Sequence, residues 1–233
     1  MRILSIIILF CMLHSCQTDK KQSKTVELES TKYDLSNNEE ATVADKIANA
    51  HGIEQWSKVN QIAFTFNVDA NGNHIERSWV WNPNTDDVTM ISANDTVSYN
   101  RKSVDSLSLN ADKGFINDKF WLLAPFQLIW DSGTEISEPI KEKAPISAQA
   151  MNKITLTYTG DGGYTPGDAY DFFYTDDFKI KEWIFRKGNA AEPTMMTTFE
   201  NYGSYKGLEI ARDHKQKNKD WNLYFTNVEM KLL

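Results

Sequence analysis

Ile62-Ala63-Phe64-Thr65-Phe66-Asn67-Val68, then Asp69-Ala70-Asn71-Gly72-Asn73, then His74 through Trp81: this stretch decides the fold class. Ile62, Phe64, Phe66 and Val68 alternate with the residues between them, the period-two signature of a strand with one buried face. Asn71-Gly72 supplies the residue types that accept positive φ in a tight hairpin turn. His74 to Trp81 returns as the antiparallel partner, with Arg77, Trp79 and Trp81 on one of its faces.

The same pattern recurs outward from this hairpin. Asn82-Pro83-Asn84-Thr85-Asp86 is a second turn, and short strands are expected at residues 88–92 and 96–100. Ile154-Leu156-Tyr158, residues 170–174, 180–187, 197–205, 208–212 and 221–230 continue the series. Strands joined by Asn, Asp and Gly turns imply a meandering antiparallel sheet, and no internal repeat is visible.

Two segments leave the two-residue period. Residues 41–58 place Val43, Ile47, Ala50, His51, Ile53 and Trp56 near one helical stripe, with Gly52 weakening the middle. Residues 106–124 hold Leu107, Leu109, Phe115, Phe120, Trp121, Leu122 and Leu123. They predict one or two helices, with Asn117-Asp118 as a start and Pro125 as the stop. The fold class expected is α+β, helices against one large antiparallel sheet.

The N-terminus gives an address. Arg2 precedes about eleven mostly apolar residues, too few for a bilayer span of roughly 20. Residues 1–15 read as a signal peptide, and Leu13-His14-Ser15-Cys16 resembles a bacterial lipobox whose cysteine is acylated. Residues 16–41 are then the lipidated Cys16 and a polar, flexible tether, with a reach of about 25–30 Å. Residues 42–233 form one domain. Gln17, in place of an Asp retention signal, points to the outer membrane, on its periplasmic face or at the cell surface.

Charge and cysteines narrow the function. A net charge of −7 without a long basic run argues against nucleic acid as a partner. Cys11 leaves with the signal and Cys16 carries lipid, so disulfides, thiolate catalysis and Cys-bound metals are not expected in the domain. His51, His74 and His214 lack metal-ligand spacing, and no GxSxG, P-loop or GxGxxG occurs. The run Gly160-Asp161-Gly162-Gly163-Tyr164-Thr165-Pro166-Gly167-Asp168 reads as an inter-strand loop, since no P-loop Lys-Ser/Thr follows it. The chain is not expected to be an enzyme, and no cofactor or metal is expected.

Aromatic content points toward an apolar ligand. The chain has 7 Trp, 9 Tyr and 12 Phe. If the sheet curves, aromatics on its concave face line a cavity suited to an apolar ligand oriented by a few polar groups.

A family resemblance adds to this. Asn117-Asp118-Lys119-Phe120-Trp121-Leu122-Leu123-Ala124-Pro125-Phe126-Gln127-Leu128 resembles the (Y/F)W-L-L-x-P-(Y/F)-x-L segment of Bacteroidota lipoproteins related to the LolA/LolB-like lipoprotein-carrier superfamily. The later order is similar too: Ile154-Thr155-Leu156, Tyr164-Thr165-Pro166-Gly167-Asp168-Ala169-Tyr170, Ile180-Lys181-Glu182-Trp183 and Tyr202-Gly203-Ser204-Tyr205-Lys206-Gly207-Leu208. The resemblance spans about residues 44–231 and implies a strongly curved antiparallel sheet, an open half-barrel, with helices packed on its concave side. It implies acyl chains held between sheet and helices.

The expectation is a membrane-anchored, non-enzymatic protein that binds an acyl chain, a lipid or a lipidated protein. Trp79, Trp81, Phe120, Trp121, Leu122 and Trp183 are the candidate lining, and Arg77 the candidate contact for a polar head group. The competing expectation is an envelope scaffold or interaction module with a filled core and a protein partner.

Overall fold

The computed structural model describes residues 40–160 and 164–233. The signal peptide, Cys16, nearly all of the tether and residues 161–163 of the Gly-rich loop lie outside the described residues.

Helix α1 (Val43–Ala50) starts at a capping box. The Thr42 hydroxyl accepts from the Asp45 N–H at 3.2 Å, and the Thr42 N–H donates back to the Asp45 carboxylate at 3.0 Å. Ala44, Ile47 and Ala48 form its buried stripe. The helix does not run on to Lys58. Gly52 has φ +88°, and a Cβ there would meet the Gly207 carbonyl oxygen at 2.0 Å. The chain continues as a 3-10 turn, Ile53–Lys58.

The opening hairpin is β1 (Val59–Ala70) and β2 (Asn73–Asn82), in the expected register: Phe64 faces Trp79 and Ile62 faces Trp81. β3 (Asp87–Ile91) and β4 (Thr96–Asn100) follow as a meander. Next comes α2 (Leu109–Trp130), which passes through Pro125 rather than stopping before it. Pro125 has no N–H for the Trp121 carbonyl, and the backbone leaves helical geometry at Leu123 (φ −118°, ψ 23°). Pro125 therefore bends the helix where the sequence suggested an end, because apolar packing on both sides holds the second half in line.

The remaining strands are β5 (Thr134–Ile136), β6 (Ile140–Lys143), β7 (Ala150–Tyr158), β8 (Ala169–Tyr174), β9 (Ile180–Arg186), β10 (Met195–Thr198), β11 (Gly203–Tyr205), β12 (Leu208–Ile210), β13 (Asp213–Lys215) and β14 (Trp221–Leu232). All pair antiparallel. They form a 6-stranded sheet β13-β14-β1-β2-β3-β4 and a second 6-stranded sheet β10-β9-β8-β7-β5, with β6 also on β7. β11 and β12 make a separate 2-stranded ribbon.

One strongly curved sheet is therefore not what the chain forms. The strands divide into two sheets, neither strongly curled. Residues 197–205 explain the division. Asn201 has positive φ, and the chain leaves β10 there to build the β11–β12 ribbon. Among the described residues one isolated bridge, Glu200 to Asp213, and the bonds of His214 and Lys215 to Thr198 join the edge of one sheet to the edge of the other.

Helix α2 fills the space between the inner faces. Phe115, Leu122, Leu123 and Phe126 pack with Ile62, Phe64, Trp79, Trp81 and Phe225 of the first sheet. Ala124 and Leu128 pack with Ile154, Leu156, Phe172 and Trp183 of the second. Trp121 and Ile129 reach both groups. Apolar burial, at about 25 cal/mol per Å², is the main force joining the three layers.

Candidate functional site

The structure sorts the candidate lining by depth. Trp79 (0% exposed), Trp183 (1%), Leu122 (2%) and Trp81 (6%) are sealed in the core. Phe120 and Trp121 are half-buried, on the flank of α2 that meets the second sheet. Trp79 and Trp81 belong to the first sheet, with Leu122 packed in the same core, and Trp183 belongs to the second, with Phe120 packed on it and Trp121 reaching both.

Phe120 and Trp121 begin a continuous aromatic surface. Phe120 lies 4.6 Å from Tyr170, centroid to centroid, and Tyr170 lies 5.1 Å from Phe185. Tyr158 closes on Phe120 at 6.4 Å. Trp121 packs edge-on to Trp183 at 4.4 Å and reaches Trp221 at 6.2 Å. Tyr158, Tyr170, Phe185 and Trp221 are half-buried like Phe120 and Trp121. The expected aromatic set therefore has a sealed floor and a half-exposed face. Strand alternation found Trp79, Trp81 and Trp183 of the floor and the apolar segment before Pro125 found Leu122; Tyr158, Tyr170, Phe185 and Trp221 belong to the face but were not in the candidate set.

Arg77 is engaged. Its Nε and Nη2 donate to the two carboxylate oxygens of Asp118 at 2.9 and 2.7 Å. The Trp79 indole N–H donates to the same carboxylate at 2.8 Å, and the Asn117 amide donates to it at 3.0 Å. Asp118 is fully buried, whereas the Arg77 side chain is 31% exposed. The bond to Asp118 raises the Arg77 pKa. The guanidinium also stacks over Phe66 at 5.1 Å. This clamp pins the first half of α2 to β2. Asp118, expected only as a helix start, is its centre. A lone acid inside the apolar run Phe115–Leu123 was the available signal.

A second buried acid on the same half, Asp112, accepts from Arg101 at 3.0 Å and from the Tyr164 hydroxyl at 2.6 Å. At the far end of α2, Asp131 accepts from the Tyr158 hydroxyl, whose pKa is raised by burial and by that carboxylate.

The two buried histidines are held by backbone carbonyls, and His214 Nε2 has no partner among the described residues. His51 Nδ1 meets the Ile47 carbonyl at 2.8 Å, and burial lowers its pKa to about 4. His214 Nδ1–H donates to the Thr198 carbonyl at 3.0 Å, and burial lowers its pKa to about 3. His74 is exposed beside Asp69 and Glu76. Among the described residues no group of His, Cys, Asp and Glu has the arrangement of a metal site.

An open surface groove of about 560 Å³ lies on the second sheet, lined by Met151, Lys181, Glu182, Thr198, Phe199 and Tyr202 among others. None of the candidate ligand residues lines it. No helix among the described residues is long and apolar enough to cross a membrane.

No family model matches the chain. No curated protein matches it in sequence. Among solved structures, a LolA superfamily protein from Nitrosomonas europaea is similar at a TM-score of 0.48 and 9% identity, covering 83% of this chain and 96% of that one. A putative outer membrane lipoprotein-sorting protein domain from Vibrio parahaemolyticus gives 0.48 and 12%, covering 81% and 91%. A DUF1329 family protein from Desulfovibrio piger gives 0.47 and 8%, covering 81% and 92%. At such identities and scores the likeness says nothing about a ligand or a mechanism.

Proposed function

We propose that this chain is a non-enzymatic binding protein of the bacterial envelope, anchored to the outer membrane through acylated Cys16, that takes an acyl chain, a lipid or a lipidated protein. The half-exposed aromatic face of Phe120, Trp121, Tyr158, Tyr170, Phe185 and Trp221 is the observation that carries this reading. A contiguous aromatic surface at the edge of a core marks a recognition site more than ordinary solvent exposure does.

The sealed residues enter through α2. Its first half is joined to the rest through the bend at Leu123 and held to β2 by the Asp118 clamp. When that half lifts, Trp79, Trp81 and Trp183 on the strands become one wall of the lining and Leu122 on the helix the other, with the ligand between them. Arg77, bound to Asp118 on one edge, offers its free Nη1 to a neutral polar group at the rim. Paired with Asp118 it carries no net charge to hold an anion.

Native mass spectrometry of residues 17–233, purified without detergent and followed by organic extraction, tests the reading. A co-purifying lipid near one per chain is the expected result, and Trp121→Asp, shown folded by circular dichroism, is expected to lose it. A clean apo mass that stays unchanged with fatty acids, phospholipids and acylated peptides would overturn it. One observation favours the scaffold alternative: α2 fills the inter-sheet space completely enough to leave Trp79 and Trp183 at 0% and 1% exposure.

A further inference from the structure

Lys119 lies on α2 one turn after Phe115 and is half-buried. Its ammonium stands 5.7 Å from the centroid of the Trp81 ring, within cation–π range. It forms no hydrogen bond or ion pair among the described residues. Burial lowers its pKa to about 8, with Asp131 the largest opposing influence.

The acidic neighbours of Lys119 are bonded to other groups, Asp112 and Asp86 to cations and Asp131 to neutral donors. Asp112 holds Arg101 and the Tyr164 hydroxyl. Asp86 pairs with Lys102 at 3.2 Å. Asp131 accepts from the Tyr158 hydroxyl, and the Gln127 amide, in its better orientation, also donates to it at 2.7 Å. Arg101 adds a like charge near Lys119. Lys119 is thus a cation without a bonded partner in a partly desolvated place, where an anion in direct contact gains more than it would in water.

Trp81 supplies an independent sign. Its indole Nε1 is buried and has no acceptor among the described residues. A buried donor left unpaired costs about 1–3 kcal/mol, so it asks for an acceptor from outside the chain. The ring whose N–H is unpaired is the ring that Lys119 covers. Two unpartnered donors, one from β2 and one from α2, therefore belong to one side-chain contact.

We propose that Lys119 and the Trp81 indole N–H together bind one anionic oxygen group, a carboxylate or a phosphate, and so select an acidic amphiphile over a neutral one. The amphiphile part rests on the apolar-ligand reading above; the anion site itself does not. It lies on a different flank of α2 from the Arg77–Asp118 clamp, so the two sites do not compete.

The test is a titration of ¹⁵N-labelled protein with dodecanoate, dodecyl phosphate, dodecanol and inorganic phosphate, read at the Trp81 indole N–H resonance. The expected result is binding of dodecanoate or dodecyl phosphate about tenfold tighter than dodecanol. Lys119→Gln should abolish that preference while leaving dodecanol binding intact, and Lys119→Arg should restore it. Equal binding of dodecanol by the wild type, or a preference that survives in Lys119→Gln, would overturn the anion site and leave the apolar reading standing. If no amphiphile binds, the apolar reading fails. The anion site then stands only if inorganic phosphate still moves the Trp81 resonance in a Lys119-dependent way, and falls if it does not.

Discussion

The two halves of α2 are held by different physics. From Leu109 to Leu122 the apolar contacts of Phe115 and Leu122 are joined by two buried carboxylates. Asp118 takes Arg77 and Trp79, and Asp112 takes Arg101 and Tyr164. From Ala124 to Leu128 the buried contacts are mainly apolar: Ala124, Phe126 and Leu128 at 0–3% exposure. Apolar burial is non-directional and is lost only by exposing area. Charged hydrogen bonds are directional, and water replaces them once a segment moves. With the bend at Leu123 between them, the proposed opening takes the first half as the part that detaches and the second as the part that stays.

The largest effect is expected from breaking the first half's clamp. Asp118→Ala leaves Arg77 and the Trp79 N–H without their acceptor and should cost about 3–5 kcal/mol in denaturant unfolding. It should also speed amide exchange in residues 109–122 more than in 124–130. A uniform increase along α2 would mean that the halves do not differ. Leu128→Ala is the counterpart. It should cost about 2–4 kcal/mol by opening a cavity, and leave the difference in exchange between the halves in place.

Acid acts through the two buried histidines. His214 sits among Trp121, Phe199 and Phe225 and is neutral when folded, with its pKa lowered to about 3; His51 is lowered to about 4. Both bind protons near 6.5 when unfolded, so their contribution is complete above that pH. As pH falls from 6.5 toward 4, stability should decline by about 1 kcal/mol per pH unit for each histidine. His214→Phe is expected to remove about half of that slope. A slope unaffected by the substitution would place the acid sensitivity elsewhere. The smallest effect should be Lys119→Gln, which breaks no bond within the described residues and should change stability by less than about 0.5 kcal/mol. A larger loss would show that Lys119 holds the first half of α2 down.

The hairpin of β1 and β2 was legible because alternation and Asn71-Gly72 report the same local geometry, down to Phe64 opposite Trp79. The division into two sheets was not legible, because it turns on positive φ at Asn201 and on whether β10 and β13 zip together, a long-range matter. Pro125 misled because a local rule for helix ends lost to packing on both sides of α2. In the site, Trp79, Trp81 and Trp183 showed as apolar positions of strands, and the sequence could not say which of the aromatics would be sealed and which half-exposed. Arg77 stood out as a charge among aromatics. Its acceptor, Asp118, lies on another element, and residue spacing carries no sign of such a pair. Lys119 was invisible for the same reason: that a lysine makes no hydrogen bond or ion pair shows only once the partners of its neighbouring acids are known.

The most direct measurement is hydrogen exchange along α2 with and without dodecanoate. Residues 109–122 are expected to exchange through a local opening well below the cost of global unfolding, and residues 124–130 only with the whole domain. Dodecanoate should change protection in 109–122 and in the strands carrying Trp79 and Trp183, leaving 124–130 as before. If both halves open only on global unfolding and dodecanoate alters neither, α2 is a fixed core element and does not admit a ligand.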